Sequence, residues 1–406
     1  MRFGGLATAC AVLIVLSGLL YWSGHHKAQT TPQASGSSTT ILKVDPVSIT
    51  AATIKAKDGA PVKVVRQPSG QWEITQPEKL AADQNAITQL LSGLSPLQAE
   101  RVIETGASDL KAFGLDPPAV EIDITGKNHA VQKLLLGDNT PTSDAAYAMV
   151  AGNPRIFTTL LYNKTNLAKS LNDLRDKRLI TMDSETMSRI DLTRDGQTIE
   201  FGRNAEGWQI LEPGPYRADM EAANELADAL AGAHMNLSES DDQDSAAAFA
   251  RGTPVATAKV AGSAGTQSLE VRKDKDQYYA KSSIVAGAYA VDSSLAGAMN
   301  KKLDDFRDKQ VFDFGYQDPN KVDLEINSRK GANGGTQSLD LVRSDQDWWW
   351  NGKKMNAENV ENLISGLRDL TATKFADSGF AKPVIEATVI SNDGKRVEKV
   401  MIAKSG

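Results

Sequence analysis

The chain writes one pattern of about 135 residues twice in full and a third time in part, and duplication on this scale constrains the fold more than any other feature. Three tryptophan strands mark the pattern: Gln71-Trp72-Glu73-Ile74, Gly207-Trp208-Gln209-Ile210 and Asp347-Trp348-Trp349-Trp350. Each precedes a turn and an amphipathic helix beginning near Asp83, Asp219 and Asn356, starts that lie 136 and then 137 residues apart. A constellation found in only one copy is then suspect as a functional site.

Within one unit the local signals are those of an antiparallel meander with short turns. In copy one, Ser48 to Lys55 reads as a strand, Asp58-Gly59 as a turn, Val62 to Arg66 as the returning strand, and Trp72 opens the third. Copy two repeats this as Arg189 to Thr193, Asp195-Gly196, Thr198 to Phe201 and Trp208 to Leu211. Copy three does so as Val322 to Ile326, a glycine-rich turn, Ser338 to Val342 and Trp348.

A helix follows in each copy. Asp83 is a plausible N-cap, with Ile87, Leu90, Leu91 and Leu94 on one face. The matching positions are Leu226, Ala229 and Leu230, then Val360, Leu363, Ile364 and Leu367. One apolar stripe per helix covers one face of a sheet, which predicts an α+β fold of tandem meander sheets, each covered by helices.

The second half of copy one supplies the strands Val120 to Ile124, Lys133 to Leu136, Tyr147 to Val150 and Arg155 to Thr158. A closing helix through Leu160, Leu161, Leu167 and Leu171 then leads to Leu174-Arg175-Asp176-Lys177. Copy two ends in the same way at Phe306-Arg307-Asp308-Lys309. Copy three holds only Ile385 to Ile390 and Val397 to Ile402, which predicts a sheet edge or a capping terminal unit. The boundaries so read are 1–24, 25–44, 45–182, 183–316 and 317–406.

The first 24 residues indicate the compartment. Arg2 precedes an uncharged run from Phe3 to Gly24, just long enough to span a bilayer, with Tyr21 and Trp22 placed as an interfacial belt. A cleaved signal peptide is the rival reading. Trp22 and His26 spoil the nearest small-residue cleavage sites, so we expect an uncleaved N-terminal transmembrane anchor. Residues 25–44 are mostly polar and read as a flexible linker.

The bulk of the chain is expected outside the cytoplasm, tethered to a bacterial inner membrane. Cys10 is the only cysteine and falls inside the anchor, so the exported part relies on ordinary cores. Net charge is −6 with no basic stripe, which argues against a nucleic-acid partner.

Phe113-Gly-Leu-Asp-Pro-Pro118, Leu135-Leu-Gly-Asp138 followed by Tyr147, and Leu174-Arg-Asp-Lys177 stand in that order after the Trp-then-helix element. With these the chain resembles the bacterial domain of unknown function 4340 family, over most of residues 45–406. Copy two departs at Arg251-Gly-Thr253 and at Arg272-Lys273. The resemblance implies a single-anchor envelope protein associated with ABC-type export or gliding-motility auxiliary systems. It carries over no catalytic residues.

Nucleophilic catalysis needs a base beside the nucleophile. His129 and His234 lie beyond the linker without counterparts in other copies, and they read as surface or satisfied histidines. The acidic run Glu239, Asp241, Asp242 and Asp244 is the best cation candidate, but its spacing matches no calcium loop and a solvated loop suffices. Gly394-Lys395 lacks the glycines of a phosphate cradle. We therefore assign no catalytic residue, no metal and no cofactor.

The sharpest candidate surface is the tryptophan triplet. Successive strand residues face opposite sides, so Trp348 packs inward, Trp350 shares its face, and Trp349 points outward to stack on a sugar or a partner protein. Packing within the sheet or between domains is the plainer reading of both Trp349 and Trp350. The recurring Arg-Asp-Lys junctions read as local charge networks fixing one unit against the next. The leading functional expectation is a non-enzymatic scaffold or accessory component of an envelope transport or motility complex. A glycan-binding module using exposed aromatics is the alternative, and a hydrolase is the weakest reading.

Overall fold

The computed structural model describes residues 39–106, 109–237, 242–315, 319–327, 335–376, 378–380 and 382–404. The expected anchor at 1–24 lies outside the described residues. Among the described residues, no helix is long and apolar enough to cross a membrane. The chain divides into two compact units, one ending at Asp176 and one running from Lys177 onward, so copies two and three share a unit.

The fold is α+β, built from large antiparallel sheets. In copy one the sheet runs, in spatial order, Leu80–Ala81, Trp72–Gln76, Val62–Arg66, Ile49–Ala56, Val120–Gly126, Val131–Asn139, Ala145–Val150, Ile156–Leu160 and Arg101–Glu104. The two halves of the unit meet where Ile49–Ala56 pairs with Val120–Gly126, so the meander and the later strands form one surface. Copy two repeats the first eight strands of that order, with Met187–Arg194 beside Thr253–Gly262 at its centre. Copy three keeps Lys321–Asn327 beside Ile385–Ser391, and Arg396–Ile402 is its last strand.

All three helices start on the residues that their chemistry suggests. A short acceptor side chain with extended backbone satisfies amide donors that the first turn cannot pair internally. Asp83 accepts from the Asn85 and Ala86 amides, Asp219 from Ala222, and Asn356 from Asn359. Helical spacing then buries Ile87, Leu90 and Leu91 in copy one, Leu226, Ala227 and Leu230 in copy two, and Val360, Ile364 and Leu367 in copy three. In copy two Ala227 takes the fully buried place, while Ala229 packs at the margin. Fully burying a Leu or Ile side chain contributes about 1.5–3 kcal/mol, so each stripe outweighs the intrinsic helix propensity of its residues.

The tryptophans sit under these helices. Trp72, Trp208 and Trp348 are all buried in their units' cores. Gln84 at the first helical position holds this arrangement in copy one. Its side chain accepts from the Trp72 amide at 2.8 Å and donates to the Trp72 carbonyl at 2.9 Å.

Several expectations need correction. The closing helix of copy one is two short helices, Leu161–Leu167 and Leu171–Leu174, because Ser170 and Asp173 form a capping box that restarts the helix. Thr40–Leu42, inside the expected flexible linker, is a strand paired with Leu97–Gln98, and it buries Ile41 and Leu42. Arg101–Glu104, expected as a loop, is a strand on the Ile156–Leu160 edge.

The acidic run of copy two is only partly described, but Asp242–Arg251 is a helix where a solvated loop was expected. That helix lies on the sheet face opposite the main core. There Ala248 and Phe249 close over Tyr279, Ala288 and Ala290. Phe113 meets Tyr147 edge-on at 4.9 Å at the corresponding place in copy one.

The caps give a direct test. Asp219→Ala leaves an amide donor of the first turn unpaired and should cost about 1 kcal/mol, whereas Asp219→Asn should recover most of it. Urea denaturation midpoints of the three proteins check this ordering.

Candidate functional site

The pleat places the tryptophan triplet as its alternation demands. Trp348 is 7% exposed, Trp349 is 38% exposed, and Trp350 packs against the core of the third sheet beside Trp348. Trp349 stands opposite Val342 on one neighbouring strand and Lys354 on the other. The row continues outward through Lys321, Ile390 and Val397, each directly opposite the last. Val342 and Val397 are themselves exposed.

The same row can be followed in the other sheets. In copy two it reads Gln209, Gly202, Arg189, Ala261 and Thr266. In copy one it reads Glu73, Val65, Ala51, Thr125 and Val131. Large apolar side chains fill four of the positions in the third sheet alone.

A cation between two carboxylates marks the middle of this face in copies two and three. Arg189 lies 2.8 Å from Asp191 and 2.7 Å from Glu200, and Lys321 lies 3.1 Å from both Asp323 and Asp340. Hydrogen bonds to Asp340 and Asp323 hold the Lys321 ammonium above its ordinary pKa. Burial, then the hydrogen bond with Asp340, pushes Asp323 above the usual carboxylate value. Burial acts upward on Asp340 too, but hydrogen bonds with Asp323 and Lys321 outweigh it and leave its pKa below normal.

The Arg-Asp-Lys junctions are backbone straps. In the first unit the Asp83 amide donates to the Leu174 carbonyl, and the Asp176 amide donates to Ala81. In the second unit the same bonds recur from Asp219 to Phe306 and from Asp308 to Arg217. Beyond the aspartate, Leu179 donates to Ala233 and Met235 donates to Lys177. At the next junction Val311 donates to Leu370 and Ala372 donates to Lys309.

Charge contributes at this second junction, and so do aromatic rings. The Arg307 guanidinium sits 4.1 Å from the Tyr216 ring centre and 3.7 Å from that of Phe375, with Asp304 at 3.6 Å. Arg217 reaches Asp308 at 3.3 Å and Asp313 at 3.7 Å, and Arg396 reaches Asp313 at 2.6 Å. The aromatic clamp on Arg307 was not legible beforehand. Tyr216 and Phe375 lie far from it in sequence, and a lone Phe carries no signal of its partner.

The remaining sequence candidates are dispersed. His129 is an exposed left-handed residue of a turn, with φ 61°. His234 pairs with Arg178 beside the first strap, and its ring nitrogen bonds the Gly232 carbonyl. Gly394 belongs to the hairpin turn between Ile385–Ser391 and Arg396–Ile402. Among the described residues, no group of three or more His, Cys, Asp or Glu side chains is placed to hold a metal ion.

Two consequences can be measured. Arg307→Lys keeps the charge but loses the planar stack, and should cost about 1–2 kcal/mol in a urea melt, more than Trp349→Ala at its exposed position. Asp323 has a raised pKa in the fold, so its contribution is present below the unfolded value and is lost as pH rises through the folded one; Asp340 acts in the opposite sense. Asp323→Asn removes the first effect, so its stability relative to the parent should rise as pH passes upward through about 4. Unfolding midpoints taken across that range check the sign.

No curated protein and no solved structure matches the chain. The family model described as a domain of unknown function (DUF4340) matches it twice, over residues 72–212 and 208–385. Both matches open on a tryptophan strand and run into the strands of the following copy, and on this agreement the chain belongs to that family.

Proposed function

We propose that this protein is a membrane-tethered, extracytoplasmic scaffold or accessory component of an envelope complex of the ABC-type transport or motility class, contributing contacts rather than chemistry. The observation that carries the reading is the outer row of the third sheet. Trp349 and Val342 on one side of Lys321 and Ile390 and Val397 on the other line up across five strands there, where copy two has Gln, Gly, Ala and Thr and copy one has large apolar residues only at Val65 and Val131. Duplicated sheets begin with equivalent surfaces. A row whose four flanking positions are all large and apolar in one copy is therefore a local specialisation, and exposed apolar rows of this kind suit protein contacts. The clamped strap supports the reading as well, because it holds copies two and three together and so gives the row a firm base.

A photo-crosslinking residue placed at Val397 of the membrane-extracted full chain should capture a defined membrane subunit. The same residue at Thr266, the matching position in copy two, should not. Trp349→Ala should reduce the Val397 adduct several-fold while leaving the unfolding midpoint within about 0.5 kcal/mol of the parent. Equal labelling from both positions, or none from Val397, would count against the proposal.

A further inference from the structure

The third sheet stops at a strand that the other two sheets continue past. In copy one Val131–Asn139 has Ala145–Val150 on its far side, and in copy two Gly265–Asp274 has Gln277–Ser282. Arg396–Ile402 holds the same place in copy three, and among the described residues no strand lies beyond it. The Ile402 carbonyl turns back into the sheet to accept from the Val384 amide at 2.8 Å. Alternation along the strand then leaves the amides and carbonyls of Val397, Lys399 and Met401 facing outward. An open row of this kind is a template for a further strand.

The side chains at this edge show what is missing. By register, Val400 and Ile402 take the places of Leu134 and Leu136 in copy one and of Leu269 and Val271 in copy two. Those four residues are 0% exposed, each opposite a residue of the next strand: Val150, Ala148, Ser282 and Ala280 in turn. Val400 and Ile402 are only half-buried. On the other face Met401 is 51% exposed, where its counterpart Leu135 has Met149 opposite. Nearer the start of the strand the inner face is closed by charge, because Arg396 and Glu398 pair with each other and both reach Asp313.

The strand can fill this gap with a copy of itself. A two-fold axis matches each residue with a partner and that partner with the residue. Opposed residues share a face, so a residue meets its own copy or one an even number of positions away. Centring the pair on Glu398 or Lys399 sets a charge against itself, and centring on Val397 opposes Lys395 and Lys399. Centring on Val400 sets Glu398 against Ile402, and centring on Ile402 sets Val400 against Lys404. Centring on Met401 sets Val400 against Ile402, Met401 against itself, Lys399 against Ala403 and Glu398 against Lys404. That register opposes no like charges and covers both half-buried positions with apolar side chains.

We propose that Arg396–Ile402 pairs with the same strand of a second copy of this chain, antiparallel and centred on Met401. The two third sheets then run into each other, and their outer rows lie on one surface. One strand pair is a small interface, so the dimer is reversible and is best detected by trapping.

The test places single cysteines at Met401→Cys, Lys399→Cys and Val397→Cys in the membrane-extracted full chain carrying Cys10→Ser. Each protein is oxidised mildly at about 0.1 mM, and disulfide-linked dimer is followed by non-reducing electrophoresis. Directly opposed strand residues come close enough for a disulfide, so dimer should form about tenfold faster from Met401→Cys than from the other two. Random collision would instead favour Val397, which is more exposed at 61%. Adding Ala403→Lys opposes Lys399 of the second copy and should slow the Met401→Cys reaction about threefold, whereas Ala403→Glu should speed it about as much. Equal rates at the three positions, no trapping from Met401→Cys, or indifference to both Ala403 changes overturns the proposal. If nothing is trapped and a peptide with the sequence of Ala145–Val150 binds instead, the edge belongs to a strand of another protein. The Val397 photo-crosslink reads the outer face of the sheet and the disulfide its edge, so this proposal and the scaffold reading fail separately.

Discussion

The strap is the constraint on which the second unit depends. An extended segment has no internal partners for its amides and carbonyls, and one held in place must find them on its neighbours. Phe306 to Val311 does so by bonding backward to the end of copy two's meander and forward to the segment after copy three's helix. Those bonds fix register as well as position, because shifting an extended segment by one residue reverses every side chain. Arg307 then points between Tyr216 and Phe375, and Asp308 meets Arg217. The ion pairs alone are weak, at about 0–1 kcal/mol each when exposed. Their role is to specify a joint that backbone hydrogen bonds and aromatic stacking hold.

Much of each unit was legible because its signals are local. Asp83, Asp219 and Asn356 announce helix starts through chemistry that acts over three residues, and the strands at Trp72, Trp208 and Trp348 declare their faces by simple alternation. The failures are non-local. Arg101–Glu104 has no strand pattern of its own and is ordered by pairing with Ile156–Leu160. The helix at Asp242–Arg251 hides in an acidic, alanine-rich stretch anchored by Ala248 and Phe249 against Tyr279, Ala288 and Ala290. Trp349 could be assigned outward from its neighbours. The apolar row it belongs to needed the registers of five strands, which no single segment contains.

Duplication also separates what each face of a sheet is free to do. The helix-covered face must keep its tryptophan, its cap and its apolar stripe, since losing any of these opens the core, and all three copies retain them. The outer face is bound only by solubility and by cross-strand charge, worth about 0.2–1 kcal/mol per pair, so it can change without unfolding the unit. Copies two and three keep the central cation between two carboxylates there, while the positions around it have diverged to Gln209 and Thr266 in one and to Trp349 and Val397 in the other. Divergence confined to the unconstrained face is what specialisation of a repeat requires. It follows that equivalent rows, compared strand by strand, are a better guide to where this chain meets other molecules than any search for a catalytic constellation.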